Sequence, residues 1–454
     1  MMVTSENPAT ALALAHGFAQ GLIDPVTVVS SALDRAVRER KTFISLVDAD
    51  RVLLRAEESA ERWRRRAPLS ALDGVPIAWK DLFDIEGLVT TAGSAILSAN
   101  SSAVENAALV DQAEHAGLIA IGKTNLSEFA YSGLGANPHF GTPTNPAVDK
   151  GLRVPGGSSS GAAVSVATGV IPISVGTDTA GSIRIPSAFN GVVGYRASVG
   201  RYPRAGLMGL SDTLDTIGPL ARTVSDCVAF DSAVRGVPFR EAGGSLRGQR
   251  FVFDLSLLER YNVSDPVGSN FIVFIQRLRE SGALVDERNF TALSELHQVI
   301  SDKGWLGALD AFATHCHLLD SEAASKMDPR VRARLELSRQ IPASRRSELL
   351  AIRRNLQDMF MHELRDATLI MPTVAHVPPL LAPLEADPDL FAEVNLKTLA
   401  MTMPASFLDA PVIAMPSGYD GNSLPIGVQL IRSSTDDDAL LVIAQLVERY
   451  IHTS

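Results

Sequence analysis

Apolar positions along the chain follow three different rhythms. From Pro8 to Arg66 they recur at helical spacing against a charged face, as in ALDRAVRER and RAEESAERWRRR, and the run stops at Pro68. Spacing by three and four lines one side of a helix, so two or three amphipathic helices are predicted there. The rhythm then changes. Val75 to Trp79 is a short unbroken apolar run ending in Lys80. Leu118 to Gly122 (LIAIG) is another, preceded by a helical stretch from Ala107 to Ala116 with Gly117 placed as its cap. Such runs read as strands buried on both faces. Ala162 to Val175 is apolar but interrupted by Ser165, Thr168, Gly169 and Pro172, which predicts a core helix running into a strand.

The third rhythm is loop-like. From Tyr131 to Pro219 Gly, Ser, Thr and Pro crowd in without low-complexity bias, as in functional loops held by a rigid scaffold. Residues from about Glu241 to Arg365 return to charged helical sequence and are expected to form an insertion or cap over one sheet. LIMPT (Leu369 to Thr373), PVIAMPSG (Pro411 to Gly418) and LPIGVQLI (Leu424 to Ile431) predict strands, and ALLVIAQLVERY a closing helix. Alternation of this kind implies an α/β fold with helices on both faces of a sheet.

Composition sharpens the picture only in places. With 454 residues, 46% of them hydrophobic and 20% charged, the chain can bury a large core and is no disordered segment. The net charge of −10, with no Lys/Arg block, excludes nucleic acid as an expected ligand. Cys227 and Cys316 are too few for a disulfide framework or a structural zinc site and fit a reducing cytoplasm. The N-terminus lacks a basic region followed by a clean apolar stretch, so no signal peptide is expected, and no apolar run is long enough to span a membrane.

Two motif matches lead nowhere. GLIAIGKT (Gly117 to Thr124) satisfies the phosphate-binding pattern G-x-x-x-x-G-K-T, but its four variable residues are those expected to form a strand, and a helix precedes them. GSSSG (Gly157 to Gly161) satisfies the G-x-S-x-G elbow with Ser159 at its centre, which requires an acid and then a histidine downstream. His297, His315, His317, His362, His376 and His452 follow, none in a loop that recommends it. His315 and His317 stand two apart in helical sequence, on different faces, and are poor metal ligands.

A third pattern explains more residues. Gly176-Thr-Asp-Thr-Ala-Gly-Ser-Ile-Arg-Ile-Pro186 places Ser182 at the end of a small-residue turn. The amides of Thr179, Ala180, Gly181 and Ser182 could converge there on one point, as a tetrahedral oxyanion needs. Asp178 and Arg184 flank the turn and could pin it by a bidentate ion pair. Upstream, PGGSSSG (Pro155 to Gly161) supplies Ser158 from a backbone relieved by glycine. Lys80, at the end of a buried strand, is misplaced unless paired or functional. Burial favours its neutral form, and a neutral lysine is a usable general base.

At this point the chain resembles the amidase-signature enzymes, whose GGSS(G/S)G block and GTD-x-(G/A)-GS-(I/V)-R-(I/V)-P block stand here as Gly156 to Gly161 and Gly176 to Pro186. GVPIAWKDLFDIEG, GKTNLSEFAYSGLGANPHFGTPTNP, LDTIGPLARTVSD and LPIGVQLI are similar to further family segments. The likeness runs from about Asp73 to Asp226 and again from Leu369, and is loose over 240–365. It implies one domain over residues 1–454 with a mixed, mostly parallel sheet surrounded by helices. It also implies a Ser–cis-Ser–Lys triad: Ser182 as nucleophile, Ser158 on a cis peptide as relay, Lys80 as base. Thr179 to Ser182 would form the oxyanion hole. The reaction implied is hydrolysis of a carboxamide through a serine acyl-enzyme, without metal or cofactor. The acyl pocket is expected between Phe129 to Ser132, with Ala130 and Ser132 as contacts, and the 241–365 region, including Trp305. A small-molecule amide is the expected partner, and a homodimer is allowed. Two positions depart from the pattern: family members often have Gly where Ser160 and Ala180 stand, and a positive φ at Ala180 would cost about 1 kcal/mol. Two alternatives share these residues, the A subunit of a glutamine-dependent tRNA amidotransferase and an inactive binding protein on the same fold.

Overall fold

Eleven strands join into one sheet in the computed structural model, which describes residues 9–147 and 150–451. Pro8 and His452, both named above, lie outside the described residues. In chain order the strands are β1 (Phe43–Leu46), β2 (Pro76–Lys80), β3 (Ile119–Thr124), β4 (Ile173–Asp178), β5 (Val193–Arg196), β6 (Thr216–Ala221), β7 (Arg250–Phe253), β8 (Leu284–Glu287), β9 (Thr368–Pro372), β10 (Val412–Tyr419) and β11 (Pro425–Ile431). Their order across the sheet is β1-β3-β2-β4-β6-β5-β10-β11-β9-β7-β8.

The strands expected from unbroken apolar runs are there, and helices cover both faces of the sheet. β2, β3 and β4 are buried at every residue, as strands inside an α/β layer must be. The helix-to-strand reading of Ala162 to Val175 holds as helix Ser160–Ala167 followed by β4. One part of the expectation needs correcting. The sheet is mixed, but it is not mostly parallel: six strand pairings are antiparallel and four are parallel. The tight turn between β10 and β11 makes a hairpin, and hairpins are antiparallel by construction.

The 241–365 region is also more than a helical cap. It contributes β7 and β8, parallel to each other, and β7 runs parallel to β9, so the region extends the sheet at one end. RFVF and LVDE are four residues each, too short to show a rhythm among charged helices. The remainder is helical as expected. Helices Thr291–Lys303 and Ser344–Leu364 pack Leu293, Leu296, Leu349, Leu356 and Phe360 against Val252 of β7, Leu369 and Met371 of β9 and Val412 of β10. Among the described residues no helix is long and apolar enough to cross a membrane.

What the fold does for function lies at the middle of the sheet. β2 and β4 are parallel neighbours, with Trp79 opposite Val175, so their C-terminal ends emerge at the same edge. That edge is where α/β sheets place ligands. Lys80 ends β2 there, and Asp178 ends β4.

Candidate active site

Lys80 is fully buried, and its Nζ donates to Ser158 Oγ at 2.7 Å and to Thr177 Oγ1 at 2.8 Å. Burial pulls its pKa from the ordinary 10.5 down to about 7, although the charges of Asp215 and Asp178 oppose the fall. Ser158 follows a cis Gly157–Ser158 peptide bond. The backbone passes closely enough here that a Cβ on Gly157 would sit 2.6 Å from the Gly135 nitrogen, so glycine is required. Ser159 N donates to Ser182 O at 3.1 Å, which ties the two serine segments together. Among the described residues no hydrogen bond joins the Ser158 and Ser182 hydroxyls; such contacts commonly tighten only around substrate.

The turn after β4 is held from below by one carboxylate. Asp178 accepts from Arg184 Nε (3.0 Å) and Nη2 (2.9 Å), from the amides of Ile183 (3.2 Å) and Arg184 (3.4 Å), and from Arg196 Nη1 (3.2 Å). Burial would raise its pKa, but Arg184 and Arg196 outweigh it and hold the carboxyl well below the usual carboxylate range. Arg184 spends its remaining donors on Thr402 O (2.8 Å), Gln429 Oε1 (3.2 Å) and Ser406 Oγ (2.7 Å). The bidentate pair expected from sequence is therefore the hub of a clamp reaching to the C-terminal third of the chain. Thr179 is fixed separately, its Oγ1 donating to Asp215 Oδ1 at 2.5 Å.

Ala180 is not among the residues with positive φ, so its departure from glycine is harmless to the turn. Gly181 is different, with φ 139°. An alanine Cβ there would lie 2.2 Å from Thr402 Oγ1 and 2.7 Å from Ile185 Cδ1, and Thr402 is itself anchored by donation to Ala180 O at 2.5 Å. Gly181→Ala is expected to cost about 1–3 kcal/mol of stability. Were the turn amides to serve as an oxyanion hole, misaiming that of Gly181 should also lower kcat/KM by about 10²- to 10³-fold. Thermal melts and steady-state kinetics of one preparation check both effects.

A cavity of about 330 Å³ opens beside Ser182. Thr179, Ala180 and Ser182 line it together with Ala130, Tyr131, Ser132 and Trp305. Phe129 instead packs beneath, with its ring centroid 4.5 Å from that of His315. Ser132 Oγ donates to Asn395 Oδ1 at 3.0 Å.

The discarded motifs stay discarded. The middle of GLIAIGKT lies in buried β3, and Lys123 forms a buried ion pair with Asp81 at 2.6 Å. The Ser159 hydroxyl is buried against Thr177 O at 3.3 Å and does not line the cavity. His315 is buried and His317 exposed, and among the described residues no group of three His, Cys, Asp or Glu side chains is placed to hold a metal. Both cysteines are free.

A family model, Amidase, matches residues 27–441 of this chain. The chain belongs to the amidase-signature family. It is thereby an enzyme of the class that hydrolyses C–N amide bonds. A solved crystal structure of an amidase superposes with TM-score 0.85 at 28% identity, covering 98% of this chain and 100% of that one. The 2-amino-5-chloromuconic acid deaminase of Comamonas testosteroni is 33% identical over 391 residues, 84% of this chain and 83% of that protein. The A subunit of the glutamyl-tRNA(Gln) amidotransferase of Cupriavidus pinatubonensis is 30% identical over 453 residues, 89% and 88% of the two chains.

Reading the amidase sequence alone missed several groups around the site. Thr177, Thr402, Ser406 and Gln429 contact the clamp or the lysine, Asp215 holds Thr179, and Asn395, Leu396, Leu399 and Met403 line the cavity. Thr177 had a readable signal. With β2 and β4 parallel, a group at the end of β2 must lie beside the last residues of β4.

Proposed function

We propose that this amidase works through a serine acyl-enzyme, with Ser182 as nucleophile, Ser158 as proton relay and Lys80 as general base. The observation that carries the reading is the 2.7 Å contact between Lys80 and Ser158 in a fully buried setting that holds the lysine near neutrality. A neutral Nζ has two hydrogens and a lone pair, so it can keep its bond to Thr177 while accepting the Ser158 proton. Ser158 then takes the proton of Ser182 as the Ser182 Oγ forms a bond to the amide carbon. Negative charge collects on the former carbonyl oxygen, and the amides of Thr179, Ala180, Gly181 and Ser182 donate to it. Collapse breaks the C–N bond, and the relay returns the proton to the departing nitrogen. Water entering by the same relay hydrolyses the ester, with Lys80 again as base.

The cavity lined by Ala130, Ser132 and Trp305 is the substrate pocket on this reading, so the 241–365 region supplies one of its walls. Two free cysteines in an acidic chain support a small-molecule amidase of a reducing cytoplasm. The extended similarity to an amidotransferase A subunit keeps a second reading in play, in which the amide is glutamine and the ammonia passes to a partner.

The test is chemical labelling followed by an activity screen. A serine-reactive fluorophosphonate should modify Ser182, mapped by mass spectrometry, and ammonia should be released from simple carboxamides. Labelling of Ser159 would overturn the assignment. Release from glutamine alone, with a copurifying partner, would establish the amidotransferase reading instead.

A further inference from the structure

The cavity beside Ser182 is roofed by two helices. Leu337 of Pro329–Arg339, with Ile341 just beyond it, lines the cavity together with Ala392, Leu396 and Leu399 of Pro388–Leu399. These positions step by three or four residues, so one side of each helix turns toward the cavity. Leu337 and Leu396 are 65% and 62% exposed, which makes an apolar rim at the mouth.

Arg334 lies on that same face, three residues before Leu337, and lines the cavity. Among the described residues lining the cavity it is the only one charged at neutral pH; the rest are apolar or bear neutral polar groups. Its guanidinium stacks 4.0 Å from the centroid of the Tyr131 ring, and Nη1 donates to Tyr131 O. Its Nε and Nη2 have no acceptor among the described residues, and no carboxylate there pairs with it. Arg330 and Arg339 of the same helix are both ion-paired, to Asp328 and to Asp320 with Glu336. A role confined to holding Tyr131 would use one donor of five. A planar fork with spare donors on a half-buried apolar wall matches a carboxylate, which accepts two parallel N–H bonds.

We infer that the amide hydrolysed here carries a carboxylate on its non-reacting part, bound by Arg334, with an apolar spacer lying against Trp305, Leu399 and Met403. This rests on Ser182 being the nucleophile of the same cavity. An ammonium at that position would meet the unpaired guanidinium and be repelled, so the pocket selects by charge as well as by shape.

The experiment compares kcat/KM for primary amides ending in a carboxylate, with two to six methylenes between the groups, against chain-matched amides ending in methyl. The wild-type enzyme should favour the carboxylate member by about 10- to 100-fold at the best length. In Arg334→Gln that ratio should collapse toward one, chiefly through KM, and Arg334→Glu should shift preference toward amides ending in an ammonium. A readout on unaltered protein stands beside these: a saturated dicarboxylate of the preferred length should inhibit competitively, and more weakly as salt is raised. The inference is overturned if wild-type enzyme takes methyl-ended amides equally well at every length. It is equally overturned if Arg334→Gln lowers both substrates alike, which would mean that Arg334 only braces Tyr131. Ser182-dependent hydrolysis without charge preference sinks this inference alone, whereas hydrolysis independent of Ser182 sinks the assignment of the nucleophile too.

Discussion

Ser182→Ala is expected to lose on the order of 10⁴- to 10⁶-fold in kcat while the protein stays folded. The Oγ is the only atom removed, and the turn around it is held by other groups. Ser182 O still accepts from Ser159 N, and the Asp178 clamp bonds the Ile183 and Arg184 amides whatever happens at the hydroxyl. The amides proposed as oxyanion donors therefore remain, and a small residual rate from binding and charge stabilisation is expected with them. Because the proposed mechanism makes the three residues one unit, adding Lys80→Met to Ser182→Ala should lower the rate little further. Steady-state rates of the three proteins on one amide, with melting curves alongside, check this. A Ser182→Ala enzyme retaining a tenth of wild-type activity would mean that another group attacks the amide.

Lys80→Arg should be nearly as inactive as Lys80→Met, and both should fall by about 10²- to 10⁴-fold in kcat/KM. A guanidinium stays protonated at every working pH and cannot accept the Ser158 proton. On the proposed relay only neutral Lys80 accepts it, so kcat/KM should rise with pH through a single ionisation near 7 and then level off. Stability carries the same signature with a definite sign. Lysine in the unfolded chain titrates near 10.5 and in the folded enzyme at about 7, so between those values the unfolded chain holds the extra proton. Stability therefore climbs as pH rises from about 7 to 10.5, and the burial penalty, about 5 kcal/mol, is fully present below 7. Lys80→Met should accordingly melt higher than wild type at pH 6, with an advantage that fades toward pH 10. A flat activity profile from pH 6 to 9 with a mostly active Lys80→Arg protein would show that Lys80 only orients Ser158.

The parts of the amidase legible in its sequence were those whose signal is local. β2, β3 and β4 announced themselves because strands buried on both faces carry dense apolar runs, and Lys80 was conspicuous as a charge at the end of one. Ser182, Asp178 and Arg184 fall within seven residues of one another, so one loop's chemistry exposed them together. The groups left unread are distant in sequence and ordinary in kind. Asp215 sits in LDTIGPLA with nothing local to link it to Thr179, thirty-six residues away. Thr402 and Gln429 reach Arg184 across more than two hundred residues. β1, β7 and β8 are four-residue strands whose burial varies along their length or is partial, so neither alternation nor a continuous run could mark them.

The full use of Arg184 has a dynamic consequence. Its donors span the end of β4, the segment around Thr402 and Ser406, and β11 through Gln429. The loop carrying Ser182 is thus expected not to lift away while the rest stays packed, because doing so would strand a buried guanidinium and a buried carboxylate together. This loop is expected to open only with the sheet. Its amides should exchange with solvent as slowly as those of the central strands, for the loop belongs to the same cooperative unit as the core.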